Sequence, residues 1–462
     1  MTEFEIIEQI AGTPSRKQKE AILREHIKDN LLLQCILISA LDSRITFGIK
    51  GRFVKSKFES SVPFTFDTLK VLTALKNRTV TGFAANRLCQ DTVDLLSLSD
   101  AELFNRILNK DLRAGITATT VNKVSPGLIF QFQVMKANDD TSGIVYPAIS
   151  EVKIDGARCQ AFIDVLGNVA YFLSSDGKQI DLCLTSIPTT IKNLAIGVCG
   201  FFDGELVAIE NGKFLKREVS NGLVNKAIKG TIGAVDAYKL FYVIWDFVEA
   251  EHPNKKYVDR RLTPSSQMIA DRNKLLKLEI KTINDTPFVC VNHRILINVS
   301  KEIANEQEGL QFFKEVLSKG LEGTIEKNKD HIYEAKRTKN LGKRKLILEC
   351  DLIIVGYNPG SGKFLNQVGS VILESSDGLL RVDASGFDDQ TRLEITRNQN
   401  ELINKIVTVK FNELVSSDKS EKFSLFLPRF KSSSIRFDKD TANSLEEIIT
   451  IWKQSANRSE TK

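Results

Sequence analysis

One eight-residue stretch, from Glu151 to Arg158, carries the residue types needed for covalent catalysis by a lysine. Lys153 is the candidate nucleophile, because an amine that has lost its proton can attack a phosphorus atom, and burial or a nearby cation promotes that loss. Asp155-Gly156 predicts a tight turn that holds the amine at a strand end, and Arg158 can bind a phosphate through two hydrogen bonds. An ordinary hairpin with an exposed lysine has the same local pattern.

Two other stretches each place a carboxylate at the end of a strand. Glu205 lies in the run Phe201 to Val207, and Glu322 lies in the run Gly320 to Ile325. If both converge on Lys153, they can bind Mg²⁺ and the ribose hydroxyls of a nucleotide. Taken singly, each such glutamate is more often a plain surface residue beside a turn.

An aromatic side chain and a lysine pair would complete a nucleotide site. The run Phe241 to Phe247 contains an aromatic side chain that can stack on a purine, although such a run is more often a core strand. Lys343 and Lys345 alternate, so both face one side of a strand, where two ammonium groups suit a phosphate chain. A solvated edge strand has the same pattern.

The chain as a whole is predicted to be a multidomain α+β protein. Residues 1–128 are predicted to form an all-helical domain, residues 129–348 an α+β domain, and residues 349–462 a strand-rich domain that resembles a small OB-fold β-barrel. A length of 462 residues favours two to four domains.

The predicted helical domain shows apolar residues at intervals of three and four. These runs are Ile6-Ile7-Ile10, Leu23-Ile27-Leu31 and Leu103-Phe104-Ile107-Leu108, and Ser97 precedes the last as a predicted N-cap. Its 18 basic and 14 acidic residues leave an excess of about four positive charges. A candidate phosphate-binding stripe consists of Arg106, Lys110, Arg113 and Lys123, which a solvated helix face would match equally well.

Turn residues divide the other two regions. Asp155-Gly156, Asp176-Gly177 and Asp203-Gly204 are predicted to be hairpin turns, and residues 306–319 are predicted to form a helix. In the third region we expect strands at 352–355, 369–373 and 406–411, turns at 358–362 and 376–378, and a helix after Thr441.

Composition excludes several classes of protein. The formal charge of +6 fits a phosphate-rich partner without requiring one, and the acidic start of the chain does not resemble a secretory signal. The longest apolar stretch, Leu31 to Leu41, is too short to span a membrane. Seven scattered cysteines and four isolated histidines give no zinc-ribbon spacing, so we expect reduced thiols in the cytoplasm.

The order and spacing of these stretches, with Arg436-Phe437-Asp438-Lys439 near the end, resemble the motif set of the covalent nucleotidyltransferases: DNA ligases, RNA ligases and capping enzymes. Across residues 1–440 the chain is similar to the ATP-dependent DNA ligases of T-even-type bacteriophages. Further similarity lies in the stretches 110–115, 122–127 and 220–230. The resemblance implies ATP and Mg²⁺ as cofactors, nicked double-stranded DNA as the substrate, and host-cell cytoplasm as the location.

The resemblance also implies a role for individual residues. Lys153 would carry the adenylate, and Glu205 and Glu322 would bind ribose and metal. Trp245 would stack on adenine, with Tyr242 and Phe247 as less favoured choices. The other implied nucleotide contacts are Glu151, Arg158, Lys343, Lys345, Arg436 and Lys439. The implied DNA contacts are Arg113, Lys123, Lys226 and Lys229. We expect a monomer without membrane contact, and the sequence identifies no replication or repair protein as a partner.

One position departs from the family pattern. The family usually has Ser-Arg-x-Gly where this chain has Ser174-Ser175-Asp176-Gly177, so the contact made by that arginine is either missing or supplied elsewhere. The remaining alternatives are an RNA ligase or capping-type enzyme and a catalytically weak DNA-binding homologue. An NAD-dependent ligase is disfavoured, because no four-cysteine zinc site is present.

Overall fold

The structure, a computed structural model, describes the whole chain except residues 57–60, 165, 167, 264–265, 267–268, 270–275, 362–363, 418–419, 431–433 and 457–462. The chain divides into two compact units. Met1–Phe132 form the body of the first, and Gln133–Gly360 with Asn366–Lys462 form the second. The predicted domain boundaries near residues 128 and 348 stay predictions.

The first unit is helical, as predicted. Its helices are α1 (Glu3–Ala11), α2 (Arg16–Ile27), α3 (Leu31–Leu41), α4 (Phe66–Lys76), α5 (Gly82–Leu95), α6 (Leu98–Leu108) and α7 (Ala118–Val124). Their apolar faces meet in one core, to which α1 contributes Ile6 and Ile10 and α6 contributes Phe104 and Ile107. Burying these side chains is the main stabilising contribution to such a bundle.

Side-chain caps determine where several of these helices begin. The hydroxyl of Ser97 accepts a hydrogen bond from the backbone of Asp100 at the start of α6, which confirms the predicted N-cap. Asn30 caps α3 in the same way through the backbone N–H of Leu33. The prediction that Leu31 continues the apolar face of α2 was wrong, because Leu31 is the first residue of α3 and is 60% exposed.

Between residues 133 and 345, the described part of the second unit combines thirteen strands with short helices. The helices are α8 (Ile187–Leu194), α9 (Arg217–Ile228), α10 (Ala234–Ala237), α11 (Tyr257–Arg260) and α12 (Glu306–Ser318). The first strands are β1 (Lys136–Asn138), β2 (Ala148–Val152), β3 (Ala157–Ile163), β4 (Val169–Ser174), β5 (Gly200–Glu210), β6 (Lys213–Phe214) and β7 (Leu240–Glu249). They continue with β8 (Leu278–Ile283), β9 (Thr286–Val291), β10 (Ile295–Ile297), β11 (Ser300–Ile303), β12 (Gly323–Asn328) and β13 (Arg337–Lys345).

These strands form two sheets, and β2 and β3 belong to different ones. The smaller sheet has the order β1-β13-β12-β2-β11, and the larger has the order β4-β3-β5-β7-β10-β9-β8, with β6 paired to β5. The chain therefore crosses from one sheet to the other between Val152 and Ala157. Lys153 lies in this crossing, where two sheets can present side chains to one space.

Two of the three predicted hairpin turns were wrong. Asp155-Gly156 joins strands of different sheets, so it is a connection between sheets. Asp203-Gly204 lies inside β5, where the register against β7 shifts between the two residues. A Cβ on Gly204 would lie 2.3 Å from the carbonyl oxygen of Val243, so the glycine permits a close approach of strands. Asp176-Gly177 does form a turn, with Gly177 at a φ of 79°.

The third region forms an OB-like sheet. Its strands are β14 (Leu348–Pro359), β15 (Val368–Glu374), β16 (Arg381–Ala384), β17 (Ile406–Phe411), β18 (Glu413–Ser417), β19 (Ser420–Phe426) and β20 (Ile435–Arg436). Its helices are α13 (Asp389–Arg397), α14 (Gln399–Leu402) and α15 (Leu445–Ala456). The sheet order is β16-β15-β14-β17-β20, and β18 pairs with β19 separately. The predicted strands, turn at 376–378 and terminal helix are confirmed, whereas a closed barrel is not formed by the strands that the structure describes.

Among the described residues, no helix combines the length and apolar character needed to cross a bilayer.

Candidate active site

The nucleophile candidate is held where the two sheets diverge. Lys153 follows β2 directly, and its backbone N–H donates to the carbonyl oxygen of Gly323 at 2.8 Å. Gly323 has a φ of 151°, and a Cβ there would lie 2.2 Å from the carbonyl oxygen of Arg344. The glycine therefore lets β12 lie against β13 while holding the backbone of Lys153. This hydrogen bond fixes the backbone of Lys153, while its side chain extends away from the strand.

The amine of Lys153 contacts the carboxylate of Glu322. Glu322 immediately precedes β12, and both side chains are mostly buried, with 21% of Lys153 and 27% of Glu322 exposed. Strands β2 and β12 are antiparallel neighbours, so their adjoining ends bring the two residues together although they are 169 positions apart. The carboxylate can orient the amine and accept a proton from it.

Two more carboxylates surround this pair. Burial raises the pKa of Glu205 to about 7, against the opposing effects of Arg158 and Lys153. Burial also raises the pKa of Asp155 to about 6, and the negative charge of Glu322 adds to the shift. Carboxylates that repel one another in a buried space become fully ionised when a cation arrives. This arrangement fits Mg²⁺, which one or two carboxylates commonly bind together with substrate phosphates and water.

The protein does not itself supply a complete metal cage. Within the part of the chain that the structure describes, no group of three or more histidine, cysteine, aspartate or glutamate side chains is arranged to hold a metal ion. The roles of Glu205 and Glu322 as metal ligands therefore stay predictions, and a nucleotide would have to complete the coordination.

Arg158 is fixed between a buried carboxylate and an aromatic ring. Its Nε lies 2.6 Å from Oδ1 of Asp203, with which it forms a bidentate pair, and its guanidinium lies 4.9 Å from the centre of the Trp245 ring. Asp203 raises the pKa of Arg158, which opposes the effect of burial. The guanidinium is therefore a permanently charged and rigidly held group beside the ring.

Trp245 is the aromatic residue of β7 that lines the cavity around Lys153. Tyr242 and Phe247 are fully buried, and the hydroxyl of Tyr242 donates to backbone carbonyl oxygens in the core. Of these three residues in the same strand, the structure thus places only Trp245 where a purine could stack on it.

A buried charge network lies behind Trp245. Glu151 and Lys327 form an ion pair of 2.6 Å in which each side chain is 5% exposed. The hydroxyl of Tyr257 contacts Glu151, and Nζ of Lys327 lies 2.9 Å from that hydroxyl. Burial lowers the pKa of His331, which stacks on Tyr257, to about 3, so the imidazole is neutral at physiological pH. The charges of this network are paired, as buried charges must be.

The lysine pair lies on one face of β13, as its alternation predicts. Lys343 is opposite Ile325, which in turn is opposite Glu151, so the register lines up three strands toward the same cavity. Lys343 lines that cavity and pairs with Asp139 at 3.2 Å. Burial lowers the pKa of Lys345, and the positive charges of Arg429 and Lys343 lower it further.

The elements that carry these residues enclose a cavity of about 650 Å³, a volume typical of a small-molecule site. Lys153, Arg158, Glu205, Trp245 and Lys343 line this cavity. Glu322, which contacts Lys153, does not line it, and neither does Lys345. This geometry suits a nucleotide held with its phosphates at Lys153.

Family models match both parts of the second unit. The ATP dependent DNA ligase domain matches residues 135–345, and the DNA ligase OB-like domain matches residues 359–432. Similarity to phage ligases extends over almost the whole chain, with 29% identity to the DNA ligase of Enterobacteria phage T6 over 96% of this chain and 98% of the relative.

The chain belongs to the ATP-dependent DNA ligase family.

Other relatives agree with this assignment. The DNA ligase of Enterobacteria phage T4 is likewise 29% identical, with the same coverage. DNA ligase 2 of Methanosarcina acetivorans is 25% identical over 67% of this chain and 56% of the relative. The solved structure titled "Pmar-Lig_PreS3" is 25% identical and has a TM-score of 0.70 over 93% of this chain and 99% of its own. The fold and the motif set thus lead to the same family.

Two residues of the family motif set lie away from the cavity. Nζ of Lys439 contacts Asp351 of β14, and Arg436 forms a bidentate pair with Asp438 at 2.7 and 2.8 Å. Neither residue lines the cavity of about 650 Å³. Both cations pair with carboxylates of the third region, and their contact with a nucleotide stays a prediction.

The predicted DNA contacts lie on exposed surfaces. Lys226 of α9 pairs with Asp236 at 2.7 Å, and Lys229 is exposed at the end of that helix. In the first unit, Arg113 pairs with Glu102 at 3.3 Å. Lys123 lies 3.7 Å from Glu20. These weak surface pairs leave the cations accessible to a phosphate backbone, and their roles stay predictions.

Two of the four residues of the candidate stripe, Arg106 and Lys110, are held by contacts within the first unit. Arg106 is 11% exposed and pairs with Glu8 and Glu102. Nζ of Lys110 donates to the carbonyl oxygens of Ser39 and Asp42 at 2.7 and 2.8 Å, where α3 ends. Charge alone did not distinguish these two cations from Arg113 and Lys123.

The departure at Ser175 lies on the rim of the same cavity. Ser175 and Lys178 both line it, and Nζ of Lys178 lies 2.6 Å from Asp176 within the turn. Arg217, at the start of α9, also lines the cavity and lies 3.6 Å from Asp155. Two cations, Lys178 and Arg217, therefore line the same cavity as Ser175.

Sequence reasoning missed Lys327 and Asn298. Lys327 follows Glu322 by five positions, an odd spacing that does not predict a shared strand face, and the pairing of β12 with β2 is what places it at the cavity beside Ile325. Asn298 lies just after β10 in an apolar run, and nothing in its local pattern marks it.

Proposed function

We propose that the chain seals nicks in duplex DNA by passing one adenylate from ATP to Lys153, then to a DNA 5′-phosphate, and finally into solution. The observation that supports this most strongly is the contact of the Lys153 amine with Glu322. It occurs at a cavity that Lys153 lines together with Arg158, Glu205 and Lys343. A lysine at a strand end among phosphate-binding groups is suited to carry a nucleotide covalently.

In the first step, the amine of Lys153 attacks the α-phosphorus of ATP. The N–P bond forms as the bond from that phosphorus to the bridging oxygen breaks, and pyrophosphate leaves. The ammonium must lose a proton beforehand, and the Glu322 carboxylate in contact with it is a suitable acceptor.

Glu205 and Glu322 would bind Mg²⁺ and the ribose in this scheme. When bound, Mg²⁺ would neutralise negative charge on the phosphates during transfer. Between transfers, Glu205 can take up a proton, since its pKa of about 7 lies near neutral pH.

Fixed cations and the indole would hold the rest of the nucleotide. Trp245 stacks on adenine, Arg158 contacts the nucleotide and then the nick phosphate, and Lys343 and Lys345 hold the α-phosphate through its transfers. Glu151 supports the base end through its pair with Lys327. Preorganised charges of this kind stabilise a transition state without reorganisation.

Arg436 and Lys439 would orient the departing pyrophosphate after a movement of the third region. Because Lys439 contacts Asp351 and Arg436 pairs with Asp438, those pairs must open first. After adenylation, the same cations must withdraw so that DNA can reach the cavity.

In the second step, an oxygen of the DNA 5′-phosphate attacks the adenylate phosphorus, and the N–P bond breaks to restore the lysine. In the third, the 3′-hydroxyl attacks the 5′-phosphorus and AMP leaves. Arg113, Lys123, Lys226 and Lys229 would bind the DNA backbone, so binding should be independent of sequence and fall with salt. A monomer in the host-cell cytoplasm is sufficient for this activity.

Labelling with nucleotides tests the proposal. Protein incubated with Mg²⁺ and ATP labelled at the α-phosphate should become labelled, whereas GTP and NAD should not label it. Lys153→Ala should abolish the label, while Lys213→Ala, at an exposed lysine in β6 that does not line the cavity, should keep it. Labelled protein should then seal nicked DNA and release AMP.

Each alternative predicts a different outcome. Efficient sealing of nicked RNA with little sealing of DNA would indicate an RNA ligase, and stable labelling by GTP would indicate a capping-type enzyme. Nick binding without any label would indicate a DNA-binding homologue that has lost catalysis.

A further inference from the structure

Asn298 is a buried polar residue of the cavity with one acceptor that lacks a partner. Its side chain is 6% exposed, and it lines the cavity with Trp245 and Glu151. Its Nδ2 donates to the carbonyl oxygen of Val152 at 3.0 Å, but its Oδ1 has no hydrogen-bond partner among the described residues. Leaving a buried acceptor unpaired is costly, so a site that keeps one is suited to a ligand that donates.

The orientation of this amide is fixed by its neighbour. An amide oxygen in place of Nδ2 would face the Val152 carbonyl oxygen at 3.0 Å, and two acceptors at that distance repel each other. The nitrogen must therefore point to Val152, which leaves Oδ1 as the acceptor on the other side.

Strand register places this oxygen close to the indole. Ile297 of β10 pairs with Ile244 of β7, and the backbone N–H of Asn298 donates to the Ile244 carbonyl oxygen at 2.9 Å. Asn298 is therefore next to Trp245 across two parallel strands. A purine stacked on Trp245 would present its edge to the residues that flank the ring.

The neighbouring acceptor is already engaged. The carboxylate of Glu151 contacts the hydroxyl of Tyr257 and pairs with Lys327 at 2.6 Å. Glu151 therefore already has partners in the buried network, whereas Oδ1 of Asn298 has no hydrogen-bond partner within the described part of the chain.

We propose that Asn298 determines the base specificity of the site, by accepting a hydrogen bond from the 6-amino group of adenine. This inference rests on the proposed function, because it places the adenine of ATP beside Trp245. Guanine carries a carbonyl oxygen at the same position, which would face Oδ1 as a second acceptor. Purine without a 6-substituent would leave Oδ1 unpaired, as it is without ligand.

The test compares three nucleotide donors on the full-length protein. Rates of adenylate or purine-nucleotide transfer to Lys153 are measured with ATP, with purine riboside triphosphate, which lacks the amino group, and with GTP. The wild type should prefer ATP over purine riboside triphosphate by about tenfold, the order of magnitude of one hydrogen bond to a buried group. GTP should be worse than both.

Asn298→Ala should lower the rate with ATP and bring the ratio of ATP to purine riboside triphosphate close to one. The ratio within one variant cancels any general damage to folding. Asn328→Ala is the matched control: Asn328 is a partly buried asparagine at the end of β12 in the other sheet, its Nδ2 donates to the Gly143 carbonyl oxygen at 3.1 Å, and it does not line the cavity. This control should keep the wild-type ratio.

A wild-type ratio close to one would overturn the inference even if Asn298→Ala failed to fold. An unchanged ratio in a folded Asn298→Ala variant would overturn it as well. Both results would leave the proposed function standing, since Lys153 would still be labelled. A wild type that takes no label from any donor would instead remove the proposed function and this inference with it.

Discussion

The cavity wall and the third region both carry charged residues of the family motif set, but they hold them differently. In the wall, Glu151 pairs with Lys327 across β2 and β12 in a buried setting, and Arg158 pairs with Asp203 beside Trp245. In the third region, Arg436 pairs with Asp438 two positions away, on an exposed surface. The wall is therefore built before any ligand binds, whereas the cations of the third region are held outside the cavity.

Buried and exposed ion pairs are suited to different roles. Buried pairs are suited to positioning a ligand and do not exchange partners readily, because breaking one leaves an uncompensated charge. Exposed pairs contribute little to stability and exchange partners easily, which suits groups that act in one step and then withdraw. The comparison leads to four predictions about variants.

The largest expected effect is on the stability of the wall. Lys327→Met should lower the free energy of unfolding by about 3–5 kcal/mol, because it leaves the Glu151 carboxylate buried without its ion pair. Denaturant unfolding followed by tryptophan fluorescence can measure this, since both tryptophans, Trp245 and Trp452, lie in the second unit.

Lys329→Met is the control for this variant. Lys329 lies two positions away and pairs with Glu302, which is largely exposed. The control should change the free energy of unfolding by about 0.5 kcal/mol or less. Equal losses in the two variants would contradict a preformed, buried wall.

The second prediction concerns the cations held outside the cavity. Lys439→Ala should slow adenylation of Lys153 by about 100-fold, as expected for one lost charge contact in a transition state, while sealing of DNA that already carries the adenylate stays unchanged. Lys410→Ala, which removes an exposed pair with Glu349 in the same region, should affect neither step. Loss of both activities in Lys439→Ala would mean that this lysine maintains the fold.

The third prediction follows from the raised pKa of Glu205. Its folded-state pKa of about 7 exceeds the ordinary value of 4.5, so its contribution to stability is present below about pH 4.5 and is lost as the pH rises toward 7. Glu205→Gln should therefore stabilise the protein at pH 8 by about 1–2 kcal/mol, with discount for partial exposure, and have little effect at pH 4.5.

Thermal or denaturant unfolding at the two pH values measures this dependence, and Mg²⁺ should stabilise the wild type more than Glu205→Gln. Glu210→Gln, at the exposed end of the same strand, is the control without a pH-dependent gain. A wild type that gains stability relative to Glu205→Gln between pH 5 and 8 would contradict the buried-carboxylate account.

The smallest effect concerns DNA binding by the first unit. Arg113 is 60% exposed, so Arg113→Ala should weaken nick binding a few-fold and reduce the slope of log affinity against log salt by about one. Arg106→Met should reduce stability but leave that slope unchanged, because Arg106 is buried in its pairs with Glu8 and Glu102. Identical slopes for wild type and Arg113→Ala would exclude Arg113 from the DNA interface.

Much of the fold could be predicted because local pattern and tertiary context agree. The alternating run 406–411 forms β17 with those bounds, and the amphipathic run near 306 forms α12. The turn predictions at Asp155-Gly156 and Asp203-Gly204 failed because the dipeptide reports only that the backbone bends or packs closely. Whether it reverses a hairpin, joins two sheets or permits a bulge depends on the neighbouring strands.

The same limit applies to the site. Residues such as Lys153, Glu205 and Glu322 were predictable because each stands in a recognisable motif. Asn298 and Lys327 were not, since only the pairing of β10 with β7 and of β12 with β2 brings them to the cavity. Arg436 and Lys439 belong to the motif set, but their local sequence does not show that they pair with Asp438 and Asp351 instead of lining the cavity.

The most direct test of the central claim is the mass of the intact protein after incubation with ATP and Mg²⁺, followed by peptide mapping. The account predicts a gain of one adenylate, located on Lys153, that disappears when nicked DNA is added. A folded protein that gains no adenylate, or that carries it on another residue, would contradict it.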